Sequence, residues 1–569
     1  MHNFLSFILM LFLVGTLAAC GTRPTSGQFS QPLYKATTAQ QVQYGTVAGL
    51  KDESTGTLSW LGVPYAKPPV AELRWKAPQD PDPWSGVLET KAFASSSLQS
   101  KRGVVSGSED CLYLNIWRPN TDEENLPVLV FAHGGGNRTR SGESFVGDIL
   151  AAKTNSIVIS INYRLGPMGW FRHPALRTGD PKDDSGNFGL LDIFKSLTWV
   201  QENIKSFGGS PDKVTLAGLS AGGRDALVAL ISPLAEGLFH QVAAFSAGMT
   251  LAETESGDHA SEQVLAKLVI SQGHATNEAE AVEWLAEKSN QELAGYLKSV
   301  DAEAFLPLYA DSAIKMKPFP HLFKDGHVIP KEGFELLRRG DYHKVPVLLG
   351  STATEFSVFA VFDPYFMPAI MDQSIFRKPE LLDTYQKTVH YGSQIYSGFN
   401  VENVAEALTT NPSQPPVYGY RFGWGTLDGV TALPPKILFG SPHGGEMDFL
   451  TGHETSEINA FFVGSYYTDQ NKPGRDALSH LLMSYIGNFL HTADPNGPGL
   501  STWEAWSGEG ERILKLNASK DAIVVTMSEE SFEKNEVVKE MKETLTDEQF
   551  NLIVDQLLDG RFFWDQWKD

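Results

Sequence analysis

The sequence predicts an α/β protein with a large, mainly parallel sheet, and three observations support this class. Short apolar segments recur along the chain, and several are apolar nearly throughout, as strands buried on both faces are. Longer segments with helical spacing lie between them, and strands that alternate with helices form parallel sheets through right-handed crossovers. No internal repeat or long low-complexity segment interrupts this alternation. The predicted strands are 112–117, 128–132, 157–161, 214–217, 242–245, 345–349 and 417–422.

The other segments complete this architecture. Residues 224–231 and 262–297 are predicted to be helical. Residues 355–415 have little strand character and many aromatic residues and prolines, and are predicted to form an insertion over the loop end of the sheet. The charged, periodic tail 529–569 predicts one or two helices. Because no linker divides the chain, residues 41–569 are expected to form a single domain that includes this tail.

Composition and charge exclude some classes of partner. The chain has 569 residues, of which 42% are hydrophobic and 20% charged, as in an ordinary globular protein. Its 46 Lys and Arg and 68 Asp and Glu residues give a net charge of −22. An acidic protein does not attract phosphate backbones, so nucleic acid is not an expected partner. The sequence leaves the oligomeric state open.

The N-terminus predicts export followed by lipid anchoring. Residues 1–19 are predicted to be a signal peptide, because their apolar run is too short for a comfortable membrane span. The run ends in Leu-Ala-Ala-Cys20-Gly, which resembles the lipobox of bacterial lipoproteins, and Cys20 is the predicted lipidation site. A plain signal peptide with an incidental Cys is the alternative. Residues 20–40 are expected to form a flexible tether. The mature protein is expected on a bacterial membrane, facing the periplasm or the cell exterior.

Cysteine and histidine usage predicts a protein without disulfide or metal. Cys20 and Cys111 are the two cysteines of the chain, so a lipidated Cys20 leaves Cys111 without a partner. Cys111 lies in an alternating apolar segment and is expected to be a buried structural thiol. No Cys and His cluster suggests a metal site, and no cofactor is expected.

The segment Gly218-Leu-Ser220-Ala-Gly222 lies between a predicted strand and a predicted helix. This is the setting of a nucleophile elbow, a strained turn in which only small neighbours fit beside the Ser. Ser220 is therefore the predicted nucleophile. The predicted fold is the α/β-hydrolase fold: a large, mostly parallel central sheet flanked by helices, with insertions over the active site. The N–H of Ala221, at the helix start, is expected to bind a developing oxyanion.

A glycine triplet follows another predicted strand. His133-Gly134-Gly135-Gly136 comes directly after strand 128–132. Three glycines let the backbone approach a ligand and present N–H groups, which a hydrolase needs for its tetrahedral intermediate. A flexible turn is the alternative, but three glycines exceed what a turn needs. His133 is expected to shape this loop rather than to act as the base.

Taken in order, these and further motifs resemble the type-B carboxylesterases, the family that includes the cholinesterases and bacterial para-nitrobenzyl esterases. The resemblance implies ester hydrolysis and places the oxyanion donors on Gly135, Gly136 and Ala221. The matching segments lie along most of the chain after the tether: 62–69, 72–74, 109–115, 133–136, 162–164, 186–192, 199–200, 203–204, 207–209 and 218–223. The resemblance also implies structural roles for two ion pairs, Arg74 with Glu109 and Arg164 with Asp192, and for the polar residues Ser246 and Glu446.

A Ser nucleophile needs a base, and the base needs an orienting carboxylate. In this fold the chain order is Ser, acid, His. Glu355 closely follows strand 345–349 in a segment that resembles the family's acid loop, and is the predicted acid; Asp363 and Asp428 are alternatives on order alone. His443 lies in a glycine-flanked loop that matches the family's His-Gly-x-Glu motif, and is the predicted base. The later histidines that lack this setting are His390, His453, His480 and His491.

The expected reaction is hydrolysis of a small-molecule carboxylic ester through a covalent acyl-enzyme. Cleavage of amides, carbamates or thioesters, and acyl transfer, remain alternatives that use the same site. The family also includes adhesion proteins that lost the nucleophile, and a cholinesterase-like binding protein is a further alternative. Against it stands the presence of all three of Ser220, Glu355 and His443.

Four departures from the family pattern bear on substrate choice. Leu219 replaces the Glu common before the nucleophile, and Asn137 replaces an aromatic residue after the triple glycine. Ser97 stands where the family usually has a Cys bonded to the one that matches Cys111. The loop at 97–107 lacks the Trp that cholinesterases use for choline, so choline esters are poor candidates.

Three arginines near the motifs suggest a hypothesis about substrate charge. Arg138 and Arg140 follow the oxyanion glycines, and Arg224 lies four residues after Ser220. If they face the substrate, esters that carry a carboxylate would fit the site. The alternative is that the first two form surface ion pairs and that Arg224 is packed inside the nucleophile helix.

Overall fold

The computed structural model describes residues 34–101, 103–309, 319–454 and 464–567. The predicted signal peptide, Cys20 and the first part of the predicted tether lie outside these residues. The strands in this part of the chain are β1 (Ala39–Val42), β2 (Gly45–Ala48), β3 (Leu50–Asp52), β4 (Thr57–Pro64), β5 (Val87–Glu89), β6 (Gln99–Lys101), β7 (Val104–Ser106), β8 (Tyr113–Pro119), β9 (Leu126–Ala132), β10 (Ile157–Ile161), β11 (Gly209–Leu219), β12 (Gln241–Phe245), β13 (Val347–Thr352), β14 (Val417–Phe422), β15 (Ile513–Ala518) and β16 (Ile523–Ser528).

One large sheet organises the described residues. It contains eleven of these strands in the order β16-β15-β14-β13-β12-β11-β9-β10-β8-β4-β3. From β15 to β10 every neighbouring pair is parallel, whereas β16 at one edge and β8, β4 and β3 at the other pair antiparallel. The carboxyl ends of the parallel strands therefore meet at one edge of the sheet, where active sites of open α/β sheets form.

Helices cover both faces of this sheet. The α-helices of the described ranges are α1 (Asp148–Thr154), α2 (Gly166–Gly169), α3 (Phe188–Asn203), α4 (Ala221–Ile231), α5 (Thr254–Ser271), α6 (Glu278–Ala286), α7 (Asn290–Ser299), α8 (Glu335–Arg339), α9 (Ser357–Val361), α10 (Met367–Met371), α11 (Pro379–Asn400), α12 (Glu402–Thr409), α13 (Leu433–Leu438), α14 (Met447–Thr451), α15 (Lys472–Thr492), α16 (Lys534–Thr544), α17 (Asp547–Leu552) and α18 (Phe562–Asp565). None of them has the length and apolar character needed to cross a bilayer.

The alternation of side chains along β9 explains the two-sided core. Every residue of β9 is buried, and successive side chains point to opposite faces of a strand. Val128 and Val130 join the core that contains Leu197 of α3, whereas Leu129 joins the core that contains Leu482 of α15. A strand buried on both faces needs an apolar residue at each position. The alternation of apolar and polar residues that marks a half-exposed strand is therefore absent from β9.

The structure confirms the predicted α/β class, and β10 and β14 match the predicted strands residue for residue. The predicted helical segment 262–297 is three helices, α5 to α7, separated by short turns. The predicted insertion 355–415 contains helices α9 to α12. The tail contains more helices than the one or two predicted, namely α16, α17, a π-helical turn (Ile553–Leu558) and α18. Its apolar residues pack with those of α9, α10 and α11 in one core.

Candidate active site

Ser220 occupies a strained turn between β11 and α4. Its backbone has φ 56° and ψ −116°, outside the regions that a non-glycine residue normally adopts. The turn is possible because Gly218 and Gly222, two residues before and two residues after Ser220, lack a side chain. A Cβ at Gly218 would lie 2.3 Å from the carbonyl carbon of Gly222, and a Cβ at Gly222 would lie 2.2 Å from the carbonyl oxygen of Ala132. The turn leaves Ser220 partly exposed at the carboxyl edge of the sheet.

The glycine loop after β9 lies against this serine. A Cβ at Gly134 would be 3.2 Å from the Cβ of Ser220. Gly135 and Gly136 have φ of +101° and +67°, conformations that favour glycine. Within the described residues, the backbone N–H groups of Gly135, Gly136 and Ala221 donate no hydrogen bond. Three unpaired donors beside a partly exposed hydroxyl can stabilise negative charge on a reacting carbonyl oxygen.

Asn137 fixes the end of this loop. It is fully buried, and its Nδ2 donates to Oδ1 of Asp225 on α4 at 3.0 Å. The Tyr163 hydroxyl donates to Asn137 Oδ1 at 3.1 Å and to the carbonyl of His133 at 2.6 Å. The oxyanion loop and the nucleophile helix are thus joined by a side-chain bridge, which an aromatic residue at position 137 could not provide.

His133 lies behind the loop and not at the reacting edge. Its ring stacks on Tyr163 with centroids 4.5 Å apart, and its Nδ1 donates to the Gly134 carbonyl at 2.8 Å. Burial lowers the pKa of His133 to about 4, so the imidazole is neutral at physiological pH. These contacts let it hold the glycine loop.

Glu355 and His443 meet at the carboxyl end of β13, which is separated from β11 by one strand, β12. Oε1 of Glu355 is hydrogen bonded to Nδ1 of His443, and Oε2 accepts from the N–H and hydroxyl of Thr352 at 2.8 and 2.6 Å. Burial raises the pKa of the Glu355 carboxyl, but the His443 ring and the Thr352 bonds outweigh burial and hold that pKa below its ordinary value. The buried carboxylate is therefore charged and oriented toward the imidazole.

The two alternative acids have other partners. Asp363 forms an ion pair with Arg561 at 2.9 Å, in which both side chains are buried. Asp428 is almost fully exposed and pairs with Lys436. Neither contact involves a histidine, so only Glu355 among the three predicted candidates is placed beside an imidazole.

The loop of His443 packs beside the nucleophile turn. A Cβ at Gly444 would lie 3.2 Å from Cδ2 of Leu219, the residue before Ser220. No hydrogen bond joins Ser220 Oγ to His443 among the described residues, and such bonds often tighten only when substrate is bound. Leu219 thus places an apolar side chain against the His443 loop at a position where the family often carries a carboxylate.

An aromatic wall, defined as Phe359, Tyr396, Phe562 and Phe563, borders His443. The ring of Tyr396 stacks on His443 at 5.7 Å, and Phe359 lies 5.3 Å from the same imidazole. Phe563 stacks on Tyr396 with ring centroids 4.6 Å apart, and the ring of Phe562 lies 5.7 Å from that of Tyr396. Sequence reasoning missed this wall. The one local signal was the aromatic run in the predicted tail helix, Arg561-Phe-Phe-Trp564.

Two further carboxyl groups are buried near the site. Burial raises the pKa of Asp225 to about 7 and that of Glu446 to about 8, and the nearby charge of Glu355 adds to the shift of Glu446. The Tyr420 hydroxyl donates to Glu446 at 3.4 Å. A neutral Glu446 leaves Glu355 as the charged carboxylate next to His443.

Five other residues singled out in the sequence are in structural positions. Both expected ion pairs are present, Arg74 with Glu109 and Arg164 with Asp192, each at 2.7 Å. Cys111 is buried, and burial raises the pKa of its thiol to about 12. The described His, Cys, Asp and Glu side chains form no group that could hold a metal ion.

The sheet order and the Ser turn at its carboxyl edge define the class of this protein, which is an α/β-hydrolase. A family model described as the carboxylesterase family matches residues 36–375. Cocaine esterase of Homo sapiens is 31% identical over 537 residues, which cover 86% of this chain and 89% of that protein. A solved structure titled PNB esterase aligns with a TM-score of 0.67 at 27% identity, covering 88% of this chain and all of the other. Carboxylesterase EST55 of Geobacillus stearothermophilus aligns with a TM-score of 0.66 at 28% identity, over 86% and 98% of the two chains.

The chain therefore belongs to the carboxylesterase family. It is an enzyme of the carboxylesterase class, and ester hydrolysis is its reaction type.

Proposed function

We propose that this carboxylesterase hydrolyses small-molecule esters through a covalent acyl-enzyme on Ser220. The observation that carries the proposal is the pairing of the buried Glu355 with the partly exposed His443 beside the strained Ser220 turn. A carboxylate that accepts from Nδ1 fixes the imidazole with Nε2 free to take a proton. His443 is the base and Glu355 the residue that orients it.

In the acylation step, His443 removes the proton from Ser220 Oγ, which attacks the ester carbonyl carbon. The N–H groups of Gly135, Gly136 and Ala221 stabilise the oxyanion of the tetrahedral intermediate, and one such donor is worth about 3 kcal/mol. The intermediate collapses, and His443 transfers its proton to the departing alcohol. In deacylation, His443 removes a proton from water, which attacks the acyl carbonyl carbon. The second intermediate then collapses with cleavage of its bond to Ser220 Oγ, His443 returns the proton to that oxygen, and the carboxylic acid leaves.

Substitution of the nucleophile tests this proposal. Ser220→Ala should abolish both labelling by a fluorophosphonate probe and hydrolysis of para-nitrophenyl acetate, because no covalent intermediate can form. Gly295→Ala, in an open position on α7, serves as a folded control that keeps both. Turnover by the Ser220→Ala protein at a rate near that of the wild type would refute the mechanism.

We also propose that the mature protein is exported and held at a bacterial membrane by lipid on Cys20. The Leu-Ala-Ala-Cys20 run after an apolar segment supports this, as does the polar stretch that follows it. Acyl chains contribute about 0.8 kcal/mol per buried CH₂, so several chains on one cysteine anchor a protein firmly.

A further inference from the structure

Arg224 is buried on the first turns of α4, directly after the nucleophile. Its backbone N–H donates to the carbonyl of Ser220 at 2.9 Å, and its side chain is only 3% exposed. Burying a guanidinium group is costly unless a carboxylate or several acceptors compensate for the lost water. The contacts of this side chain therefore decide whether it is structural.

Other buried arginines of the protein are compensated. Arg164, Arg421 and Arg561 pair with buried carboxylates at 2.7–2.9 Å. Arg118 donates to four backbone carbonyl oxygens. Arg224, by contrast, has no carboxylate within 4.0 Å in the described part of the chain, and its one side-chain hydrogen bond, from Nη1 to the Thr250 hydroxyl, is 3.4 Å long.

The groups that face the Arg224 guanidinium supply little negative charge. It lies 4.8 Å over the ring of Phe562, and Tyr163, Tyr396 and His321 are its other titratable neighbours. The nearest carboxyl group is Asp225, which bonds to Asn137 instead and whose pKa burial raises to about 7. Near neutral pH this carboxyl is charged only part of the time, so the positive charge of Arg224 is poorly balanced.

The unbonded nitrogens of Arg224 also retain contact with solvent. Some arginine nitrogens in this protein are fully buried and have no hydrogen-bond partner, for example Arg164 Nη1 and Arg421 Nε. No nitrogen of Arg224 is in this state. Arg224 also lies near the site, because it packs over Phe562, Phe562 contacts Tyr396, and Tyr396 stacks on His443. The Arg224 guanidinium is therefore connected to the His443 ring through two aromatic side chains.

We propose that Arg224 binds a carboxylate of the substrate, and that the preferred substrates are esters whose acyl portion carries a carboxylate a few carbons from the ester carbonyl. A guanidinium group offers paired N–H donors that match a carboxylate. We place the carboxylate on the acyl portion because this portion stays bonded to Ser220, the residue that precedes α4, and Arg224 lies about one helical turn, about 5.4 Å, along α4. This inference rests on the proposed acyl-enzyme mechanism.

Two esters of the same shape test it. The wild-type protein is assayed with ethyl hydrogen glutarate and with ethyl 5-amino-5-oxopentanoate, in which a carboxamide replaces the carboxylate. We expect kcat/KM to be at least about tenfold higher for the acid. Arg224→Gln should lower kcat/KM selectively for the acid, so that the ratio of the two kcat/KM values falls close to one. Arg224→Lys should restore part of the preference because it returns the charge without the paired donors.

Arg338→Gln is the matched control, because it removes one exposed positive charge on α8, outside the site. It should leave the ratio of the two kcat/KM values unchanged. Equal kcat/KM values for the two esters in the wild type, or equal losses in Arg224→Gln, would overturn the inference. So would a preference restricted to 3-acetoxypropanoate, an ester with the carboxylate on its alcohol side.

A second measurement needs no variant and guards against misfolding of Arg224→Gln. Glutarate should inhibit hydrolysis of para-nitrophenyl acetate by the wild type competitively, and glutaramide should inhibit it at least about tenfold more weakly. Equal inhibition by the two compounds would count against Arg224. If the wild-type protein showed neither fluorophosphonate labelling nor hydrolysis of any ester, the proposed function itself would be refuted.

Discussion

The buried position of Asp225 disfavours the charged form of its carboxyl group. Its Oδ2 is buried and makes no hydrogen bond within the described residues, and burial raises its pKa from 3.8 to about 7. Between these two values the unfolded chain has lost a proton that the folded protein keeps. The free energy of unfolding therefore falls as pH rises from about 4 to 7, by an amount on the order of a few kcal/mol.

Asp225→Asn should remove this pH dependence while keeping an acceptor for Asn137. We expect the stability of the variant relative to the wild type to increase from pH 5 to pH 8, as measured by urea unfolding across this range. The difference between the two proteins isolates Asp225, because Glu446 titrates in both. Asp341→Asn, at an exposed position, should show no such trend. A difference that stays constant with pH would contradict the assignment.

Glu355 and His443 are expected to act as a unit. Glu355→Gln should lower kcat by about 10³–10⁴-fold with little change in KM, because the imidazole loses both its orientation and a stabilising negative charge. The control is Asp428→Asn, an exposed position where kcat should be unchanged. Should Asp428→Asn or Asp363→Asn reduce kcat instead while Glu355→Gln does not, the acid has been misassigned.

The residues with chemical roles were predictable to the extent that they sit in local motifs. The Ser220 turn, the glycine triplet and the Glu355 and His443 loops each have a short sequence signature. Tyr396 and Phe562 have none, since they reach the site through the packing of α11 and α18. Arg224 was singled out from its position four residues after Ser220, but only the contacts around it could show that it has no carboxylate partner.

At the level of elements, the turn between β11 and α4 depends on a close approach of two backbones. Gly222→Ala should lower both the melting temperature and kcat, because its Cβ would lie 2.2 Å from the Ala132 carbonyl and the turn would have to shift. Overpacking of this kind costs about 1–3 kcal/mol or more. Gly295→Ala, where the space around the new Cβ is open, should be neutral or stabilising by up to about 1 kcal/mol. Equal melting temperatures for the two variants would contradict this reading of the turn.

The central elements were more predictable than the edges. Strands β10 and β14 are buried throughout. Polar residues bound β10, and Pro416 and Gly423 bound β14, so the limits of both strands follow from the sequence alone. β15 and β16 were missed, because β16 is an edge strand whose residues are partly or fully exposed, and its antiparallel partner gave no apolar run long enough to stand out. Pairing at an edge depends on the neighbouring strand and not on local composition.

At the scale of the whole molecule, the proposed lipid anchor can be tested apart from catalysis. The wild-type protein should incorporate labelled palmitate in bacteria and sediment with membranes, and Cys20→Ser should do neither while hydrolysing para-nitrophenyl acetate as before. Cys111→Ala is the matched control, because it removes the other cysteine and should leave membrane association intact. Unchanged membrane retention of Cys20→Ser would exclude lipidation at this position.

The aromatic wall has a consequence for biosynthesis. Sheet, nucleophile turn and His443 loop are all translated before α18, yet Phe562 and Phe563 complete the surroundings of Tyr396 and Arg224. While α18 is still inside the ribosome's exit tunnel, the nascent chain therefore has its reactive serine but lacks one side of the site. Domains can begin folding during synthesis, whereas this wall can close only after residue 563 has emerged. Full esterase competence therefore cannot arise during synthesis before this residue is available for folding.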